Sequence, residues 1–397
     1  MQKQAIQFDN TEVAFAPKSR NEIRKAHFLF STMQHPWVVQ IGVRFTEWAL
    51  RVGLPVKGLI KRTIFDHFCG GESIPDCSQV VKHLGEYGVK TILDYSVEGE
   101  SNEMSFDRTC KEIVEVCKAA KVDPNVPFSV VKPTGIGPID IMARAQAGES
   151  LTEVEKNKLS YFAERAEEIA QAAKEGKILF MIDAEEVCMQ DVVDEVVCDL
   201  MSKYNREYAL VYNTYQLYRK EALGNLIRDA EIAKQEGYHF GAKLVRGAYM
   251  ENERERAVEM GYEDPIQPDK ESTDRDYNAA LEFCIKNIDN MGLCAGTHNE
   301  ESSAYLVDLM EENGVEKNDP RVYFAQLLGM SDHISFNLAN AGYNVAKYVP
   351  YGPVEKVMPY LFRRAEENTA MAGQTSRELS LIKKEIERRS QEGRSKK

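Results

Sequence analysis

The chain reads as an α/β protein, a parallel (β/α)8 barrel of the TIM type, and two observations carry that reading. Short runs rich in β-branched and aromatic residues recur eight times, at 88–94, 126–132, 177–183, 208–216, 240–246, 292–297, 321–327 and 343–349. Long charged amphipathic stretches, such as 151–174, 219–237 and 300–314, separate most of them. The runs are nearly continuous in apolar residues, as strands covered on both faces must be. Strand alternating with helix implies parallel βαβ units, and eight units over about 260 residues match such a barrel in count and length.

Taken in order, the runs end in a polar series. GVKTILD closes on Asp94, VPFSVVK on Lys132, KILFMID on Asp183 and YALVYNTYQ on Gln216. FGAKLVR carries Lys243 and closes on Arg246, and GLCAGT leads into Thr297, His298 and Asn299. RVYFAQL closes on Gln326 and Leu327, and YNVAKYV holds Tyr348. Alone, each is an ordinary helix cap or surface residue, and His298 an ordinary packed histidine. In a barrel, however, all these ends open on one mouth, where converging charges need partners or ligands.

An open doubly wound sheet is the alternative, but its phosphate-binding turn is missing. The nearest candidate, Gly135-Ile136-Gly137-Pro138, has a proline where the motif continues and no third glycine in register. No phosphate-cradling loop ending in Gly-Lys-Ser/Thr occurs either. Residues 1–87 lack strand periodicity and read as a helical extension, 88–375 as the barrel, and 376–397 as a helix end and a solvated tail that includes Arg388.

Composition excludes several classes. Sixty-three acidic against 50 basic residues give a net charge of −13, which rules against a nucleic-acid-binding body. The eight cysteines (69, 77, 110, 117, 188, 198, 284 and 294) form no C-x-x-C pair and no metal-spaced cluster with the seven histidines, so reduced thiols and no metal are expected. The first ten residues lack the layout of a secretory signal and the Arg-rich character of a mitochondrial presequence. Eighteen consecutive apolar residues occur nowhere. Between Trp37 and Phe68, Trp37, Ile41, Phe45 and Trp48 fall at helical spacing among Arg44, Arg51, Lys57, Lys61 and Arg62. This stripe predicts either a helical cap packed on the body or a membrane-surface segment carried by Lys57, Lys61 and Arg62.

A second constellation, YLFRRAEEN at 360–368, follows the last strand. Tyr360 and Arg364 are i,i+4 neighbours, as are Arg363 and Glu367. Adjacent arginines point about 100° apart on a helix, so two guanidinium forks can grip one carboxylate from two sides.

KLVRGAYM (243–250), THN (297–299), FAQLLGM (324–330), YVPYGP (348–353) and YLFRRAEEN together resemble the proline dehydrogenase family. IDAEE (182–186), YQLY (215–218) and Lys132 fall between them in matching order, so the resemblance covers about 85–370. It implies a distorted barrel that holds FAD non-covalently and oxidises L-proline to Δ1-pyrroline-5-carboxylate, with a final helix over the mouth. It assigns Arg363 and Arg364 to the proline carboxylate with Lys132 beside them, and Leu327, Tyr348 and Tyr360 to the walls of the proline ring. Asp183 matches a catalytic-site aspartate, with Ala184 behind it at the flavin. Gln216, Arg246, Gly247, Ala248, Thr297 and His298 match FAD contacts, Tyr249 lies near the ring system, and Glu367 would hold Arg363 and approach the flavin. Many bacterial members have Arg then Lys where this chain has Lys243 then Arg246. Both positions stay cationic, so Lys243 keeps a catalytic, charge-stabilising part while any bidentate contact there is lost.

The resemblance further implies a membrane quinone as electron acceptor and a peripheral place at the inner face of a bacterial membrane, or in the mitochondrion if the source is eukaryotic. With no aldehyde dehydrogenase module after residue 397, a separate pyrroline-5-carboxylate dehydrogenase is expected downstream. A bulky Tyr348 favours proline over 4-hydroxyproline. A Schiff-base aldolase using Lys132 or Lys243, or a non-catalytic amino-acid sensor, is the alternative on the same barrel.

Overall fold

The computed structural model describes residues 6–395 apart from 53, 55, 98–100 and 371. At 47, 50, 51, 59, 366–370, 372–375 and 393–395 it describes the backbone alone. Eight strands, β1 (Val89–Tyr95), β2 (Phe128–Val131), β3 (Leu179–Ile182), β4 (Val211–Gln216), β5 (Phe240–Val245), β6 (Met291–Gly296), β7 (Val322–Leu327) and β8 (Val345–Tyr351), form a closed barrel in sequence order. Every neighbouring pair is parallel, and β1 closes on β8 with Ile92 opposite Tyr348. β2, β4 and β8 are buried throughout, because helices cover the outside and side chains fill the inside. The interior plug includes Phe128, Met181, Tyr212, Cys294 and Tyr348, and the layer between strands and helices is one continuous apolar core.

Before the barrel come helices at Arg20–Met33, Pro36–Arg51 and Ile74–Glu86, and no strand occurs among the described residues there. The first begins with a capping box in which Ser19 and Glu22 satisfy each other's backbone donors. After β8 the chain forms the helix Val354–Ala370 and then the C-terminal helix Ala372–Ser395.

Two expectations are corrected here. The tail expected to be solvated starts docked, at Arg388 and Arg389, while Ser390, Gln391 and Glu392 after them are exposed. Arg388 and Arg389 both pair with the buried Glu385, and Arg389 also donates to the Phe15 and Lys18 carbonyls. Leu379, Leu381 and Ile382 of the same helix join the core formed with the first helices. Its apolar positions are sparse among charges, which is why its sequence looks solvated. The second correction concerns the stripe. Among the described side chains of the helix Pro36–Arg51, Val39 and Ala49 are buried, whereas Trp37, Ile41, Phe45 and Trp48 are each more than half exposed. The stripe therefore faces outward and does not cap the body. No described helix is long and apolar enough to cross a membrane.

Candidate functional site

The strand ends bring the predicted polar series to one rim as linked pairs. At the end of β1, the buried Asp94 accepts both from Lys132 Nζ, at 2.8 and 3.0 Å, and from the Ser96 hydroxyl. Burial opposes ionisation of Asp94, but Lys132 and Ser96 win and hold its carboxyl below the usual range. Past β3, Asp183 Oδ1 lies 2.6 Å from Lys243 Nζ. That ammonium, projecting from the middle of β5, also sits 4.4 Å from the centroid of the Tyr348 ring. Tyr348 faces Leu327 across the β7–β8 register, and burial pushes its phenol well above the ordinary tyrosine range. Asp183, Lys243, Tyr348 and Leu327 thus share one corner.

Arg246, just past β5, has all its edges engaged. Nε pairs with Asp274 at 2.7 Å, one terminal nitrogen donates to Thr297 Oγ1 at 2.7 Å, and the other to Ser302 Oγ at 2.9 Å. Its guanidinium carbon stands 4.4 Å from the Tyr277 ring centroid. The charge is fixed in place before any ligand arrives. Gly247 follows with φ +129°, a backbone state that side chains rarely adopt, and a Cβ there would fall 2.5 Å from the Tyr218 ring. Gly247 and Ala248 leave their main chain exposed on the rim, and Tyr249 is half-buried beside them.

Gln216, at the end of β4, donates to the Glu185 carbonyl at 2.6 Å, and Ala184 is half-buried between Asp183 and Glu185. His298 accepts from or donates to Ser331 Oγ through Nδ1 at 2.9 Å. Burial first, then the positive charges of Lys347, Arg364, His333 and Arg246, push this imidazole down to about 3, so it is neutral at physiological pH.

The helix Val354–Ala370 lies over this rim. Arg364 stacks 5.3 Å from the centroid of its i,i+4 neighbour Tyr360, and its charge reaches both Tyr360 and His298. The Tyr360 hydroxyl is buried without a hydrogen-bond partner among the described residues. Arg363 is half-buried on the same helix, and the side chain of Glu367 lies outside the described residues.

Sequence reasoning missed the supports of this rim. Glu185 accepts from the Thr134 backbone N–H and hydroxyl, both at 2.8 Å, and burial pushes its carboxyl up to about 7. Asp332 lies between Lys18 and Lys347, whose Nζ atoms are 2.5 and 2.7 Å from its two oxygens. A lysine inside the apolar run YNVAKYV was a legible signal that Lys347 has a buried partner.

The donor set suits an anionic cofactor. Two cations, Lys243 and Arg246, a hydroxyl from Thr297, an amide from Gln216, a neutral imidazole and an exposed glycine-alanine backbone adjoin the ends of β4, β5 and β6. A (β/α)8 barrel with a cationic mouth under an arginine-bearing helix is the class this geometry defines. Residues 77–377 match the family model described as "Proline dehydrogenase", and the chain belongs to that family. The human "Proline dehydrogenase 1, mitochondrial" is 42% identical over 64% of this chain and 44% of its own length. The "Hydroxyproline dehydrogenase" of Xenopus laevis is 31% identical over 97% of this chain and 90% of its own. A crystal structure of proline utilization A from Bdellovibrio bacteriovorus, inactivated by N-propargylglycine, shares the fold at a TM-score of 0.70 and 21% identity. That match covers 79% of this chain and 34% of the other. The chain thus spans less than half the length of the human relative it matches.

Proposed function

We propose that this chain oxidises L-proline to Δ1-pyrroline-5-carboxylate with non-covalently held FAD. The observation that carries the reading, beside family membership, is the placement of Tyr360 beside Asp94 and Lys132 and of Arg364 beside His298, on the rim that also holds the Lys243–Asp183 pair. Arg363 and Arg364 bind the carboxylate, with Lys132 beside them, and Leu327, Tyr348 and Tyr360 enclose the ring. This fixes the carbon next to nitrogen in one orientation and excludes water. The amine must be neutral to release hydride, and an enclosed corner favours the neutral form. Ala184, Gln216, Arg246, Gly247, Ala248, Tyr249, Thr297, His298 and Glu367 would hold the cofactor. The flavin, when bound, supplies the two-electron acceptor. Lys243 would supply the cation that offsets negative charge on a reduced cofactor, and Asp183 holds that cation in place.

Proline loses two electrons and two protons, so the cofactor must be reoxidised. A membrane quinone is the acceptor we assign, because the chain carries no nicotinamide fingerprint and its outward stripe suits a lipid surface. Trp37, Ile41, Phe45, Trp48 and Val52 are exposed, with exposed Arg44 and Arg62 nearby. Lys57 and Lys61 pair with Glu355 and Glu72, so the arginines carry more of the net charge than those lysines. Pairing two copies through this face would set basic rim against basic rim, whereas an anionic lipid surface complements it. The docking place is then the inner face of a bacterial membrane, or the mitochondrion in a eukaryote. The product leaves for a separate pyrroline-5-carboxylate dehydrogenase.

Purified protein should show flavin absorbance near about 450 nm, bleached anaerobically by proline and restored by a quinone. Proline binding without bleaching would support the sensor instead, and borohydride trapping of a carbonyl substrate the aldolase. Flotation with anionic vesicles should fall when Trp37, Phe45 and Trp48 are changed to Ser. Unchanged flotation, or a dimer that the same changes dissolve, would overturn the lipid assignment.

A further inference from the structure

Ser331 is one of two non-glycine residues with positive φ among the described residues, at φ 51° and ψ 41°. The other, Lys177, closes a long helix at its C-terminus, where that conformation is common. Ser331 instead begins the helix Asp332–Asn340, and it is fully buried. A serine in that position ordinarily turns its hydroxyl onto the first backbone N–H groups of the helix. Here the hydroxyl makes no such cap, and it lies 2.9 Å from His298 Nδ1.

The left-handed state is unfavourable for serine, so something must hold it. The backbone N–H of Ser331 donates to Glu378 Oε1 at 2.9 Å. Glu378 belongs to the C-terminal helix, is 3% exposed, and its Oε2 has no hydrogen-bond partner among the described residues. A buried carboxylate with one oxygen idle is costly to keep for packing alone. Around it stand Lys18, Asp332, His333 and Lys347, whose ion pairs fasten the same turn from the N-terminal side.

We propose that Glu378 is a positioning residue for the flavin site: by fixing Ser331 in its left-handed state it aims the Ser331 hydroxyl at His298 Nδ1. The hydroxyl donates to Nδ1, which leaves the proton on Nε2 and presents an N–H donor at the rim. This rests on the assignment of His298 to the flavin. The C-terminal helix, which carries none of the residues assigned to substrate or cofactor, thereby sets the tautomer of one of them.

The test measures FAD affinity by flavin fluorescence on diluting the holoprotein, together with ¹⁵N spectra of the labelled histidines. Ser331→Gly keeps the left-handed turn without strain and removes the hydroxyl together with its carbon. It should weaken FAD roughly five- to tenfold and shift the His298 tautomer signature. Glu378→Ala should do the same, while Glu378→Gln, which keeps an acceptor oxygen, should stay near wild type. In the Ser331→Gly background Glu378→Ala should add no further loss of affinity, although it still lowers thermal stability. A full second loss in that background, or unchanged affinity in Ser331→Gly, would overturn the proposal. If Glu378→Ala does not fold, Ser331→Gly alone decides. A wild type that carries no flavin removes the flavin site itself and the proposal with it, whereas bound flavin indifferent to Ser331→Gly removes only the positioning chain.

Discussion

Lys243 Nζ and Asp183 Oδ1 face each other at 2.6 Å, with both side chains largely enclosed. Removing one partner of such a pair leaves a buried charge uncompensated, which costs more than the pair contributes when intact. Asp183→Asn and Lys243→Met should each lower unfolding stability by about 3 kcal/mol. The double variant should lose clearly less than the sum of the two. Urea unfolding of the cofactor-free proteins measures this, and strict additivity would mean that the two groups do not act as a pair.

Arg364, stacked on Tyr360 over the rim, is one of the two arginines proposed to clamp the proline carboxylate. Losing one charge-assisted contact to a carboxylate costs on the order of 2–4 kcal/mol, or about 30- to 1,000-fold in kcat/KM. Arg364→Met should therefore raise KM for proline strongly while the flavin spectrum is retained. Steady-state kinetics on the flavin-loaded variant test it, and an unchanged KM would return Arg364 to an ordinary helix-surface role.

The strands and their polar ends were legible because both are local properties of the chain. An apolar run that stops at Asp94, Lys132 or Asp183 shows its end whatever surrounds it. The partners were not legible, since they depend on which ends the closed barrel sets side by side. Nothing in the sequence marks Lys243 as belonging to Asp183 rather than Asp94. Ser331 and Glu378 were invisible for a related reason. A left-handed serine has no compositional signature, and its acceptor Glu378 lies 47 residues further on, in a helix that nothing in the sequence ties to that turn. The stripe at Trp37 shows the opposite failure: its spacing was correct, but periodicity alone cannot say whether a face turns inward or outward.

Glu185 makes the stability of the barrel depend on pH. Burial raises its carboxyl from 4.5 to about 7, so the folded chain keeps a proton that the unfolded chain releases earlier. Its contribution is complete below about 4.5, shrinks as pH rises through about 7, and is absent above. The Tm of wild type should carry a downward slope over that window from this group. Glu185→Gln keeps the Thr134 hydroxyl donating to a carbonyl oxygen and does not titrate, so it should flatten the slope. Thermal melts at half-unit steps between pH 4.5 and 8 decide it, and an identical slope in the variant would show that Glu185 ionises normally.

On the proposed function, Tyr348 is the residue expected to set the choice between proline and 4-hydroxyproline. Its ring occupies the corner between Lys243 and Leu327, and its hydroxyl is buried against Met181. A 4-hydroxyl on the substrate ring would bring one more polar group into this packed corner, so proline should be preferred. Hydrophobic pockets separate substrates that differ by one small group by only about 10- to 200-fold, and a preference within that range is expected. Tyr348→Ser opens the space and leaves a hydroxyl that can pair with the incoming one. It should cost activity on proline and narrow the gap with 4-hydroxyproline. Measuring kcat/KM for both substrates in both proteins gives the answer. A wild type faster on hydroxyproline would reverse the assignment, and a gap unmoved by Tyr348→Ser would place the selecting residue elsewhere on the rim.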